Sequence, residues 1–213
     1  VSIRLAPFAV VVMLLVTGCV TPSDPDLYHG VDIFPAKKTL QFNLIDDTNS
    51  EFNSSSIEGS VWVVGFVFTN CPDFCSTVTT EMKEIQDSLT DWERRNTSFI
   101  SITVDPWRDG PMLLTQYKEI MNVTWPHLTT NIDSENNLSR IEDVWTNFEI
   151  GLVLTESQNS TSTSGRGHTV YYSIEHTNGV VLVDANGFQQ VQWTEDNWNT
   201  TLIVEDVRML LND

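Results

Sequence analysis

The sequence predicts an α/β domain built on a central mixed sheet flanked by helices. Three observations predict it. Residues 61–68, "VWVVGFVF", and 98–104, "SFISITV", are continuous apolar runs rich in β-branched and aromatic residues, as in strands buried on both faces. Segments with apolar residues at helical spacing alternate with these runs. The chain has 213 residues, 40% of them hydrophobic, with seven Trp and ten Phe, enough for one domain with a real core.

The elements follow in order. "TLQFNLID", 39–46, alternates apolar and polar residues and reads as a strand. Residues 49–60 form a polar turn region, and the run 61–68 is the central strand. A helix is expected next, with Pro72 at its first position, where a missing N–H needs no partner. Phe74, Val78, Met82, Ile85 and Leu89 recur on one face. After the strand at 98–104, Asp109 is expected to cap a helix that has Pro111 in its first turn. A third helix after Asp133 carries Leu138, Ile141, Val144, Trp145 and Phe148 on one face. Residues 155–167 are polar and low in complexity, which predicts a mobile surface loop. "GVVLVDANG", 179–187, reads as a strand and a hairpin turn at Asn186-Gly187. A closing helix is expected over 196–211.

The net charge of −18 and pI near 4.3 exclude nucleic acid as a partner, because phosphates and this surface repel each other. At the N-terminus, Arg4 precedes an apolar run, 5–16, too short to span a bilayer comfortably. One positive charge, an apolar stretch and then small residues fit a signal peptide, 1–18. Val16-Thr17-Gly18-Cys19 resembles the lipobox of prokaryotic lipoproteins, which implies cleavage before Cys19 and acylation of its sulfur. Residues 19–38, rich in Pro and Asp, are expected to be a flexible tether, with the folded domain over 39–213. The expected location is therefore the outer face of the cytoplasmic membrane, held by a lipid.

With Cys19 set aside, Cys71 and Cys75 remain, in "NCPDFCS". A disulfide between them would close too small a loop to constrain the unfolded chain much. Chemistry is the better expectation: a redox pair or a metal site. Cysteines four apart on a helix face the same way, and a helix N-terminus lowers thiol pKa. Thiolates suit Cu(I) and zinc. A structural zinc site takes four protein ligands, and there is no second cysteine pair. A two-thiolate site needs a third ligand from elsewhere, and histidine is the natural one. His29 lies in the expected tether, His127 in a turn expected at the surface, and His168 at the edge of the polar loop. His176 stands just before a strand expected beside the central one. Read from its residues alone, it is equally well a partly buried histidine with a backbone partner.

Three blocks occur in order: "VWVVGFVFTNCPDFCS", "ISITVDPWRD" and "IEHTNGVVLVDANG". Together they resemble the Sco/SenC family of copper-binding assembly factors, over about residues 39–211. That family's pattern is C-P-x-x-C after a strand ending in F-T-N or F-T-H, then D-P-x-R-D, then a late His before an apolar strand and a D-x-x-G turn. The resemblance implies a thioredoxin-like fold and copper, as Cu(I) or Cu(II), held by Cys71, Cys75 and His176. It also implies a role in delivering copper to the CuA centre of cytochrome c oxidase, or in reducing that centre's cysteines. The implied partners are the CuA-bearing subunit and an extracytoplasmic thiol reductant. Ser76 departs from the family, which commonly has Pro there. Asp105, Arg108 and Asp109 match it, and read as a turn with an Asp–Arg pair and a helix cap.

The competing reading is a thiol-disulfide oxidoreductase that cycles Cys71 and Cys75 between dithiol and disulfide. Against a thioredoxin-type enzyme, three residues separate the cysteines rather than two, and no Pro lies between Thr155 and Asp213. A thiol peroxidase would need one activated cysteine and a nearby Arg, without His176. A non-catalytic binding domain would leave the three ordered blocks unexplained.

Overall fold

Strand β4, Val61–Val67, is buried along its whole length, as its composition predicts. The computed structural model describes residues 27–70, 75–156, 162–165, 168–176 and 179–212. β4 runs parallel to β5, Thr97–Thr103, with Val67 opposite Thr103 at the end of the ladder. A parallel pair needs a crossover, since a tight hairpin cannot return the chain in the same direction. That crossover is helix α1, Cys75–Ser88, followed by the short α2, Asp91–Arg95. On the other side β4 pairs antiparallel with β10, Gly179–Val183, placing Val180 opposite Gly65. β10 turns at Gly187 into β11, Phe188–Thr194.

The sheet is completed by β6, His127–Thr129, parallel to β5, and by β2, Asn43–Asp46, and β3, Glu51–Asn53. With β1, Val31–Lys38, at the far edge, the order is β1-β11-β10-β4-β5-β6-β2-β3. This is the central mixed sheet predicted.

Both faces of β4 are covered. Trp62, Val64 and Phe66 meet Ile141, Val144, Trp145 and Phe148 of and just beyond α4, Glu135–Asn147. Val61 and Val63 lie in the opposite core with Val78, Met82, Ile85 and Leu89. Ile203, Val204, Val207 and Leu210 of α5, Thr200–Asn212, complete that core. Each such side chain contributes roughly 1.5–3 kcal/mol on burial. The periodic stripes predicted for α1 and α4 are thus the core-facing stripes, except that Phe74 lies outside the described residues.

Three local expectations are corrected. The tether expected over 19–38 is folded from Tyr28 onward: Tyr28 is buried, and β1 pairs with β11. The N–H groups of His29 and Gly30 donate to Asp206 at 2.8 and 3.0 Å. β1 is an edge strand, mostly exposed and carrying Pro35, so it shows no apolar alternation and needs no donor at that position. The polar loop expected over 155–167 instead holds the end of β7, Leu152–Glu156, and the whole of β8, Ser162–Gly165. Both pair with β9, His168–His176, in a separate small sheet. Asp109 does not cap α3, Pro111–Met121; Gly110 holds that position without a side-chain hydrogen bond.

Among the described residues no helix is long and apolar enough to cross a membrane. The expected signal peptide, Cys19 and Pro72 lie outside the described residues.

Candidate metal centre

The cysteine pair falls where β4 hands over to α1. Phe68 and Thr69 follow the strand directly, and Cys75 is the first residue of α1. Cys71 lies outside the described residues, as does the side chain of Cys75. The carboxyl end of a central strand is where open α/β sheets place their sites.

His176 comes to this same end of the sheet from a distant part of the sequence. It is the last residue of β9 and pairs with Leu152 of β7. β10 begins three residues later, at Gly179, and its antiparallel pairing with β4 carries that start to the C-terminal end of β4. The half-buried imidazole meets the ring of Phe68 edge-on, with centroids 5.6 Å apart. Gly179, the first residue of β10, lies hard against β11. Its φ is +139°, and a Cβ there would stand 1.9 Å from the carbonyl oxygen of Trp193.

Residues 105–109 close the site from the β5 side. Arg108 donates from Nε to the carboxylate of Asp105, and both side chains are buried. This is the predicted Asp–Arg pair. Asp109 turns inward. It accepts the Thr69 hydroxyl at 2.5 Å, the Thr103 hydroxyl at 2.6 Å and the Thr69 N–H at 3.1 Å. Burial pushes its carboxyl up to about 6, against the pull of the Thr103 and Thr69 donors. The sequence displays this acid in D-P-W-R-D, but only the fold shows that it grips the residue two before Cys71.

The family model for SCO1/SenC matches residues 32–212. The chain belongs to the SCO1/SenC family. It is 30% identical to the SCO2-like protein of Rickettsia conorii over 169 residues, which is 78% of this chain and 75% of that one. Its fold is similar to that of Bradyrhizobium japonicum ScoI with copper bound: TM-score 0.66, 20% identity, covering 81% of this chain and 99% of that one. It is also similar to BsSco, described as a member of the Sco family of cytochrome c oxidase assembly proteins with a disulfide switch. There the TM-score is 0.63 at 21% identity, covering 85% of this chain and 98% of that one. The fold is thioredoxin-like, as the resemblance of the three blocks implied.

In this SCO1/SenC chain the other histidines stand apart from that constellation. His29 meets Glu205 at 3.1 Å. His168 begins β9, at the end opposite His176. His127, expected at the surface, is wholly buried in β6. Its ring stacks on Trp125 and meets Tyr117 edge-on. Burial pushes its pKa down to about 4, so it is neutral at physiological pH. The sequence misled there because Trp125-Pro126 reads as a turn, whereas the tryptophan fills the core between β5 and α3. Among the described residues no three His, Cys, Asp or Glu side chains converge as a metal site.

Proposed function

We propose that this chain is an extracytoplasmic copper-binding assembly factor that serves the CuA centre of cytochrome c oxidase, either delivering copper or reducing that centre's cysteines. Cys71, Cys75 and His176 hold the copper. The observation that carries this reading is the contact of His176 with Phe68. It brings the histidine that ends β9 to Phe68, the residue just past β4, from which the chain leads to Cys71 in three residues. A link of three residues reaches at most about 11 Å.

The donor set suits the metal. Two thiolates are soft ligands for Cu(I), and a neutral imidazole is a suitable third. Only three protein ligands are involved, so an incoming thiolate can replace them one at a time. Oxidation of Cys71 and Cys75 to a disulfide removes both sulfur donors, so loading requires an extracytoplasmic thiol reductant. The same dithiol can reduce a disulfide on the CuA-bearing subunit: two electrons and two protons leave the pair as its own disulfide forms. Acylation of Cys19 would hold the domain at the outer face of the membrane.

The test is an anaerobic Cu(I) titration of the fully reduced chain against a coloured chelator, with Cys75→Ser and His176→Ala in parallel. One tightly bound copper per chain is expected, weakened severely by Cys75→Ser and by about tenfold or more by His176→Ala. Binding no tighter than an unstructured dithiol, unchanged by His176→Ala, would reject the metal site and leave the thiol-disulfide oxidoreductase.

A further inference from the structure

Residues 105–109 contain the feature that the copper reading leaves without a task. Asp109 is wholly buried. Burying a carboxylate is costly unless hydrogen bonds replace its water. Capping α3 at the surface would avoid that cost, yet the side chain points the other way. Oδ1 accepts the Thr69 hydroxyl at 2.5 Å and the Thr69 N–H at 3.3 Å. Oδ2 accepts the same N–H at 3.1 Å and the Thr103 hydroxyl at 2.6 Å.

The location of Thr69 gives these bonds their meaning. The β4–β5 ladder ends at Val67 and Thr103. Past that point Asp109 continues the tie between the two strands through its side chain. Thr69 sits between Phe68, whose ring meets His176, and Cys71, two residues on. Asp109 is itself held: its N–H donates to the Asp105 carbonyl at 2.8 Å, and the Asp105 N–H donates to the Thr103 hydroxyl at 2.9 Å.

We infer that Asp109 is a positioning residue for the candidate copper centre. By fixing Thr69, it sets the backbone that runs from the residue touching His176 to Cys71. This rests on the proposed copper reading for the metal, but the placement of the cysteine pair is a separate observable.

Asp109→Asn keeps the shape and turns an amide N–H toward the Thr69 N–H. Asp206→Asn is the control. Asp206 is also wholly buried and accepts three N–H donors, from His29, Gly30 and Trp193, but it touches neither Phe68 nor Thr69. The full chain is measured three ways: Cu(I) affinity, the midpoint potential of the metal-free Cys71/Cys75 couple, and unfolding by urea. Asp109→Asn is expected to weaken Cu(I) by about tenfold. It should also move the potential by about 30 mV, the tenfold equivalent for a two-electron couple. Asp206→Asn is expected to lose stability while leaving both unchanged, and Thr69→Ser, which keeps both donors, to match the wild type. The inference is overturned if folded Asp109→Asn leaves affinity and potential unchanged, or if Asp206→Asn moves them as far. Should Asp109→Asn fail to fold, Thr69→Val removes only the hydroxyl and is read the same way. A wild-type chain that takes up no Cu(I) would defeat the proposed function, and the potentials alone would then decide the role of Asp109.

Discussion

The ring of Phe68 stands edge-on to the imidazole of His176, with centroids 5.6 Å apart and planes 72° to each other. Phe68 is 4% exposed, so the ring is held by the core and in turn limits where His176 can move. Phe68→Leu conserves most of the buried volume and should cost less than about 1.5 kcal/mol. Under the proposed function it should nonetheless weaken Cu(I) binding, because the imidazole loses its aromatic wall. Urea unfolding and chelator competition on the same sample check this. Wild-type copper affinity in Phe68→Leu would show that the contact does not orient His176.

Gly179→Ala should be among the more damaging single-methyl changes in the chain. The added Cβ would lie 1.9 Å from Trp193 O, with φ at +139°. Steric overlap and backbone strain together predict a loss of about 3 kcal/mol or more. Gly59→Ala is the comparison: its φ is +83°, but nothing lies within 4 Å of the new methyl, so only about 1–2 kcal/mol is expected. Similar urea midpoints for the two variants would contradict this account of how β10 meets β11.

Asp105 and Arg108 form a buried ion pair, with side-chain exposures of 0% and 8%. Asp105→Ala leaves the guanidinium buried without that carboxylate and should cost about 3–5 kcal/mol. Asp105→Ala/Arg108→Leu should recover part of the loss, because no charge then remains to be solvated. A double variant as unstable as the sum of its single changes would remove the pair from the explanation.

His127 predicts a pH effect of definite sign. Its folded pKa, about 4, is below the 6.5 of the unfolded chain. Its contribution is therefore full above pH 6.5 and is lost as pH falls toward 4, when the unfolded chain alone takes up the proton. Asp109 acts in the opposite sense: its folded pKa is raised from 3.8 to about 6, so its contribution is lost as pH rises through that window. The two offset each other in the wild type. In His127→Gln the first contribution disappears. The stability difference between wild type and variant should then grow as pH rises from 4 to 6.5, by up to about 3 kcal/mol. Unfolding at several pH values measures it, and a constant difference would reject a neutral buried His127.

What the sequence determined by itself is the part written in local periodicity. The fully apolar run of β4, the i, i+3, i+4, i+7 stripes of α1 and α4, and the Asn186-Gly187 turn each specify their element from neighbouring residues. The spacing of Cys71 and Cys75 after β4 identified the end of the sheet where chemistry should lie. The three ordered blocks pointed to the family. Tertiary structure decided what depends on long-range register. Only the antiparallel pairing of β10 with β4 brings His176 to Phe68. Only the adjacency of β4 and β5 lets Asp109 reach Thr69 instead of capping α3. His127 is buried by Trp125, its own neighbour two residues back, and by Tyr117 of α3, which the Trp125-Pro126-His127 tripeptide cannot reveal. β1 escaped notice because an edge strand buries little, and its backbone pairing leaves no apolar pattern to read.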